Sequence, residues 1–224
     1  MASTENQMIK KLLRNFDRNI SILEIGSGYC QKTEFLNSIG FNNITGVEKN
    51  EVLVEQAKAR NYKVVTLDEF ESNYSDKKFD LLFLSHIIEH FQYQDLKEFL
   101  EHYLGYLNDQ GHLIIATPII NDNFYDDFDH VKPYTHLSIL SVFGGSESQV
   151  QFYSKYHLKF IDLHYIRIAF RLKFYRALAL RTPLYRIPRI INQLLHLIYR
   201  LSFRLIGNPI SWVGLFQKTT RQPK

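Results

Sequence analysis

The chain has 224 residues, 45% of them hydrophobic and 22% charged. That is the size of one domain with an elaboration, and it excludes both a disordered chain and a mini-protein that needs staples. The single cysteine, Cys30, excludes an internal disulfide framework and any multi-cysteine zinc site, while the net charge of +4 hides a strong asymmetry. Residues 1–162 hold 15 Lys and Arg against 23 Asp and Glu, a net −8, whereas residues 163–224 hold 12 Lys and Arg and no acid. A basic stretch of that length points to a phosphate-bearing partner, nucleic acid or an anionic membrane surface, or else to a face that only solubilises the chain.

The opening residues, MASTENQMIKKLLRNF, lack the continuous apolar core of a signal peptide, so a cytoplasmic location is expected. Ile20–Ile25 reads as a short buried parallel strand ending in Gly-Ser-Gly. Thr33–Ile39 reads as a helix closed by Gly40, Asn43–Glu48 as a second strand, Glu51–Arg60 as a helix, and Tyr62–Thr66 and Phe79–Leu84 as the third and fourth strands. Asp95–Leu107 is amphipathic and helical, ended by Asn108–Gly111. His112–Thr117 is a fifth strand stopped by Pro118. Leu158–Leu163 and Ile210–Gln217 read as the sixth and seventh. The uncharged stretch Leu205–Gln217 contains Gly207, Asn208 and Pro209 and falls short of the ~18 residues a membrane span needs. Alternating strands and helices predict an α/β fold with a Rossmann-like, doubly wound, mostly parallel sheet. The reading is one domain over 1–224 with a helical insert over 165–209.

Glu24, Gly26, Ser27 and Gly28 stand where the first strand should turn into a helix, and glycines there let backbone approach a ligand closely. Glu48 lies at the end of the second strand, the place for an acid that hydrogen-bonds ribose hydroxyls. The pair indicates an adenosine-containing cofactor. Gln31 occupies the position of the third glycine that a dinucleotide pyrophosphate requires. Glu24 would repel a diphosphate but suits an ammonium group. S-adenosylmethionine has a sulfonium, an ammonium and no phosphate.

Residues 20–117 resemble the class I S-adenosylmethionine-dependent methyltransferases through ILEIGSG, GVEKN, FDLLFLSHIIEHF and LNDQGHLIIATP, in that order and spacing. The closest likeness is to small-molecule and glycan methyltransferases with a Glu-His helix after strand 4. The resemblance implies a seven-stranded sheet with an antiparallel last strand. It implies that Glu24, Gly26 and Gly28 line the methionine part of the cofactor, that Glu48 holds the ribose, that Asp68 lies near the adenine, and that Ser85 and His86 close over the cofactor. Cys30 stands where that family often has glycine.

His86, Glu89 and His90 spell the H-x-x-E-H of inverted zinc proteases, and helical spacing would put both histidines on one face. The motif follows a strand in a run that already fits methyltransferases, so Glu89 and His90 are expected to brace the helix under the cofactor. The segment Asp129–Thr135 resembles the His-Val-Arg-x-Tyr/Phe-Thr piece of the same subgroup and should lead into a helix over the acceptor pocket. An acceptor hydroxyl benefits from a base, for which His130 is the first candidate and His86 the second. Asp126, Asp127 and Asp129 with His130 could hold a cation but equally suit a solvated loop, and no metal is assigned.

The insert carries Arg186, Arg189, Gln193, His196, Arg200 and Arg204 at three- and four-residue steps, a narrow polar stripe among aliphatic and aromatic residues. Such a helix can lie in a membrane interface or bury itself against the core or a second copy as a homodimer. Its many aliphatics argue against nucleic acid, although Tyr165, Phe170, Phe174, Tyr175, Tyr185 and Tyr199 could stack on bases. The expected activity is O-methylation of a glycan or lipid-linked acceptor on the inner membrane face. Rival readings are methylation of a quinone or other prenylated ring, and a non-catalytic S-adenosylmethionine-binding protein.

Overall fold

The computed structural model describes residues 2–145, 150, 152–172 and 186–219. The chain divides into two compact units, Met1–His164 with Trp212–Lys224, and Tyr165–Ser211.

The first unit opens with α1 (Ala2–Leu12), which buries Ile9 and Leu12 and is followed by buried Leu13. Then come β1 (Ile22–Ile25), α2 (Gln31–Ser38), β2 (Ile44–Val47), α3 (Glu51–Ala59), β3 (Val64–Val65), α4 (Leu67–Asn73) and β4 (Phe79–Ser85). After them lie α5 (Tyr93–Leu104), β5 (Leu107–Pro118), α6 (His136–Phe143), β6 (His157–Ile168) and β7 (Asn208–Thr219). The strand order is β3-β2-β1-β4-β5-β7-β6, with β1 to β5 parallel wherever they pair and an antiparallel last strand. Every residue of β1 and β2 is buried, as strands covered on both faces require. Residues Ile22–Ile25 lie in register with Ile44–Val47 on one side and Leu81–Leu84 on the other, so the carboxyl ends of β1, β2 and β4 share one edge.

Local capping explains the helix starts. The Asn50 side chain accepts from the Val52 N–H and opens α3, and Thr66 and Thr135 each close a reciprocal capping box at α4 and α6. Behind the sheet, Phe70, Phe79, Tyr103 and Tyr106 pack ring to ring, and buried Trp212 donates from Nε1 to the Tyr134 carbonyl at 2.8 Å.

Four elements differ from expectation. Helices α1 and α4 were not foreseen, because their apolar stripes are short and lie in polar sequence. Asn108–Gly111 does not precede β5 but bulges within it: Phe79 pairs with Leu107 and Leu81 with His112, and Gln110 takes φ +64°. The stretch after β4 is a single 3₁₀ turn, Ile88–His90, rather than an α-helix, because His86 at φ +58° breaks the chain's path first.

In the second unit, the end of β6 and the start of β7 enclose α7 (Arg186–Leu201). Asn192 clamps Leu172 by two hydrogen bonds, its Oδ1 accepting from the amide and its Nδ2 donating to the carbonyl. The Tyr199 hydroxyl donates to the Arg167 carbonyl at 2.6 Å. That face of α7, with Pro188 buried, is the packed one. Ile187, Ile190, Leu194, Leu197, Ile198 and Leu201 are all exposed, and at 3.6 residues per turn they fall within an arc of about 100°. Helix α7 stops at Leu201, so Arg204, at φ +67°, is not on the polar stripe. Lys173, Phe174, Tyr175, Arg176, Arg181, Pro183 and Tyr185 lie outside the described residues.

Candidate active site

A cleft of about 740 Å³ opens at the carboxyl ends of the central strands, lined by Gly26, Glu48, His86, Ile87, His90 and Asp129 among others. A second cavity of about 410 Å³, between the starts of α5 and α6, is lined by Lys132 and Tyr134 of the 129–135 segment but by none of the candidate cofactor-binding or catalytic residues.

The turn after β1 is built on backbone that side chains resist. Gly26 takes φ +74° and donates to the Val47 carbonyl at 2.8 Å, and a Cβ there would run into Ile87 Cδ1. Gly28 takes φ +50° and has nothing within 4 Å of where its Cβ would be, so the turn faces open space. Cys30 also lies in the left-handed region, φ +63°, with its thiol buried. This explains why glycine would serve there.

Glu48 is buried at the end of β2, and its two oxygens accept from the Gly28 and Asn50 amides, each at 2.9 Å. A carboxylate held from behind in this way keeps lone pairs for two further donors. Glu24 is 2% exposed and accepts from the Thr33 hydroxyl at 2.5 Å. Burial pushes its carboxyl up to about 7, against the hydrogen bond from Thr33 and the charge of Lys32. A buried acid in that state is stabilised by a cation brought beside it. Ser27 Oγ is buried without a hydrogen-bond partner and packs where a Cβ on Gly46 would go. An open backbone turn, an orphaned hydroxyl, a cation-seeking acid and a held carboxylate together fit the donor set of S-adenosylmethionine.

Ser85 ends β4 and donates weakly to Glu5 at 3.4 Å. His86 is half exposed and lies between two carboxylates, Nε2 at 3.0 Å from Glu5 and Nδ1 at 3.3 Å from Glu89. Burial lowers its pKa, but Glu5 and Glu89 outweigh it and push the imidazole up to about 10. Burial likewise raises Glu5, yet His86 and then Lys32, whose Nζ is 2.6 Å away, bring it down to about 2. Glu5, Lys32 and Thr33 were missed by sequence reasoning. Glu5 lies 81 residues from His86, and nothing local marks it. Asp68 is exposed in the first turn of α4, next to cleft-lining Leu67, and is not itself in the cleft wall.

Glu89 is fully buried. Its Oε2 accepts from Thr117 at 2.9 Å, and its backbone carbonyl accepts from Val131 and Lys132. It therefore braces the 129–132 loop rather than an α-helix. With His86 outside the 3₁₀ turn, the two histidines of H-x-x-E-H share no helical face. His130 is mostly buried. Its Nδ1 meets the Phe124 carbonyl at 2.6 Å, and its Nε2 lies 3.6 Å from Asp127.

A model of the methyltransferase domain matches residues 2–184. Among curated proteins, the chain is 30% identical over 115 residues to alpha N-terminal protein methyltransferase 1 of Dictyostelium discoideum, a stretch covering 47% of this chain and 42% of that protein. Its fold is similar to a SAM-dependent methyltransferase from Archaeoglobus fulgidus (TM-score 0.55, 21% identity, 95% and 94% of the two chains). It is also similar to a putative methyltransferase from Bacillus halodurans (TM-score 0.59, 13% identity, 97% and 100%). A third likeness is to Burkholderia thailandensis 1,6-didemethyltoxoflavin-N1-methyltransferase, solved with S-adenosylhomocysteine (TM-score 0.55, 11% identity, 96% and 76%). The chain belongs to the methyltransferase domain family and is an S-adenosylmethionine-dependent enzyme of the class I fold.

Proposed function

We propose that this methyltransferase O-methylates a glycan or lipid-linked acceptor at an anionic membrane surface on the cytoplasmic side. S-adenosylmethionine supplies an electrophilic methyl group on a sulfonium and departs as a neutral thioether. The chain must place the acceptor oxygen in line and relieve it of its proton. Glu24 and Ser27 serve the ammonium end of the cofactor, Gly26 and Gly28 admit it, Glu48 receives the ribose hydroxyls, and Ser85 and His86 border it. Asp68 sits beside Leu67 on the adenine side.

His130 is the acceptor-side group. A carbonyl oxygen only accepts, so the bond to Phe124 makes Nδ1 the N–H and leaves the Nε2 lone pair available. His86, the second candidate, has both ring nitrogens engaged by carboxylates and no lone pair to offer. Replacing His130 by alanine is expected to lower kcat by about 100-fold or more, the range for a positioned base, with S-adenosylhomocysteine affinity within about threefold of wild type. Undiminished kcat in a labelled-methyl assay removes His130 from the chemistry.

The observation that carries the membrane reading is the exposed aliphatic arc of α7 beside a stripe of Arg186, Arg189 and Arg200, in a segment without a carboxylate. Arginine stems reach lipid phosphates while the aliphatic arc enters the acyl boundary. No helix among the described residues is long and apolar enough to cross a membrane. Co-sedimentation with phosphatidylglycerol vesicles is expected, and with phosphatidylcholine vesicles much less. Exchanging Arg186, Arg189 and Arg200 for glutamate should abolish it, each basic residue near the surface contributing about 1 kcal/mol. Dimerisation without vesicle binding would instead assign the arc to a second copy. The same arc would serve a quinone or other prenylated ring, which competes as acceptor in the same assay.

A further inference from the structure

We propose a divalent transition-metal site beside the cleft, formed by Glu89, His90 and His130. One donor atom from each of these three side chains lies within 4.8 Å of the others. The two histidines are oriented alike. Nδ1 of His90 meets the Asp129 carbonyl at 3.0 Å and Nδ1 of His130 meets the Phe124 carbonyl at 2.6 Å, so in both rings Nδ1 carries the proton and Nε2 keeps its lone pair. Donation of the remote N–H to a backbone carbonyl is how metal-binding imidazoles are held in one tautomer and one orientation.

The third member adds an independent sign. Glu89 is 0% exposed, and its Oε1 has no aligned hydrogen bond. Its other oxygen is fixed by Thr117, and His86 stands 3.3 Å away as a flanking charge. With the His86 imidazole 3.3 Å away but no aligned hydrogen bond made, this buried oxygen keeps a lone pair that a bound cation can use. Two imidazoles and one carboxylate suit manganese, iron, cobalt or zinc rather than magnesium or calcium. Bonds of about 2.0–2.2 Å require the three donors to close in on the ion. Asp127, 3.6 Å from His130 Nε2, stands ready as a fourth oxygen ligand.

Because His90 and Asp129 line the cleft, a cation there reaches the acceptor. It would hold the acceptor hydroxyl by its oxygen and polarise the O–H bond, with the proton passing to solvent. With the ion bound, Nε2 of His130 is a ligand and cannot also take the proton, so the ion replaces the base role given to His130 above; the inference rests on the proposed O-methyl transfer for the acceptor alone. The site itself does not depend on the acceptor.

The test is a titration of chelator-treated wild-type protein with manganese(II), read as loss of the free-ion EPR signal, with neither cofactor nor acceptor present. One ion per chain is expected. Nitrogen hyperfine coupling in pulsed EPR should identify imidazole ligation, and His90→Ala and His130→Ala should each weaken binding at least tenfold. Circular dichroism and melting in chelator verify that the variants fold. If one does not, the nitrogen coupling of the wild-type protein decides. No binding up to about 1 mM overturns the site, and so does binding without nitrogen coupling or with unchanged affinity in both variants, which would assign the ion to the loop carboxylates. Failure of methyl transfer with manganese still bound would instead count against the acceptor reading.

Discussion

Glu48→Ala is expected to weaken binding of S-adenosylhomocysteine by at least about 100-fold, because a hydrogen bond to a charged group contributes ~1.5–3 kcal/mol and two ribose hydroxyls are served at once. The loss has a second source. Oε1 and Oε2 of Glu48 accept from the Asn50 and Gly28 amides, so removing the carboxylate also frees the turn that the cofactor must meet. Glu48→Gln can keep only one of these acceptors and should fall between the two. Titration calorimetry reads both, and an alanine variant within about threefold of wild type would show that the ribose lies elsewhere.

The second large effect is in pH. Glu24 titrates at about 7 in the folded chain against 4.5 as an unperturbed carboxyl. The folded state therefore holds this proton more tightly than the unfolded state, so stability falls as pH rises from about 4.5 to about 7 and then levels off. The full loss is about 3 kcal/mol at 1.36 kcal/mol per pKa unit. Glu5 acts in a lower window: its carboxyl is held near 2, so its contribution is present above 4.5 and disappears only toward pH 2. Partly buried His112 and His136, both shifted down by desolvation, act with the same sign as Glu5 and opposite to Glu24, losing stability as pH falls below their ordinary range. Comparison with Glu24→Gln isolates the Glu24 contribution. Wild type should lose about 3 kcal/mol relative to the variant between pH 4.5 and 7.5 in denaturant melts. Affinity for S-adenosylhomocysteine, whose ammonium favours the ionised carboxylate, should rise up to about tenfold per unit below pH 7 in wild type only. Parallel stability curves for the two proteins would mean that Glu24 is hydrated rather than buried.

The parallel core was legible because its strands are buried on both faces and read as apolar runs closed by turn residues; Ile22–Ile25 and Phe79–Ser85 are examples. Gly26, Gly28 and Glu48 were legible because a close backbone approach and a strand-end acid leave local marks. The motif around His86 misled, since spacing alone does not reveal that a histidine at φ +58° ends the regular path. The tautomers of His90 and His130 were also hidden. They depend on the Asp129 and Phe124 carbonyls, which only the folded loop brings within reach. Glu5 was beyond sequence reasoning because its partners, Lys32 and His86, are assembled across the fold.

That last arrangement has a practical bearing on mutational screens. Ile9, Leu12 and Leu13 seat the first helix, and through Glu5 its position determines how Lys32 and His86 are charge-balanced. A cavity-forming substitution at any of the three should surface as poor donor uptake, although none of them borders the cleft. Turnover assays alone would score such packing lesions as defects of chemistry.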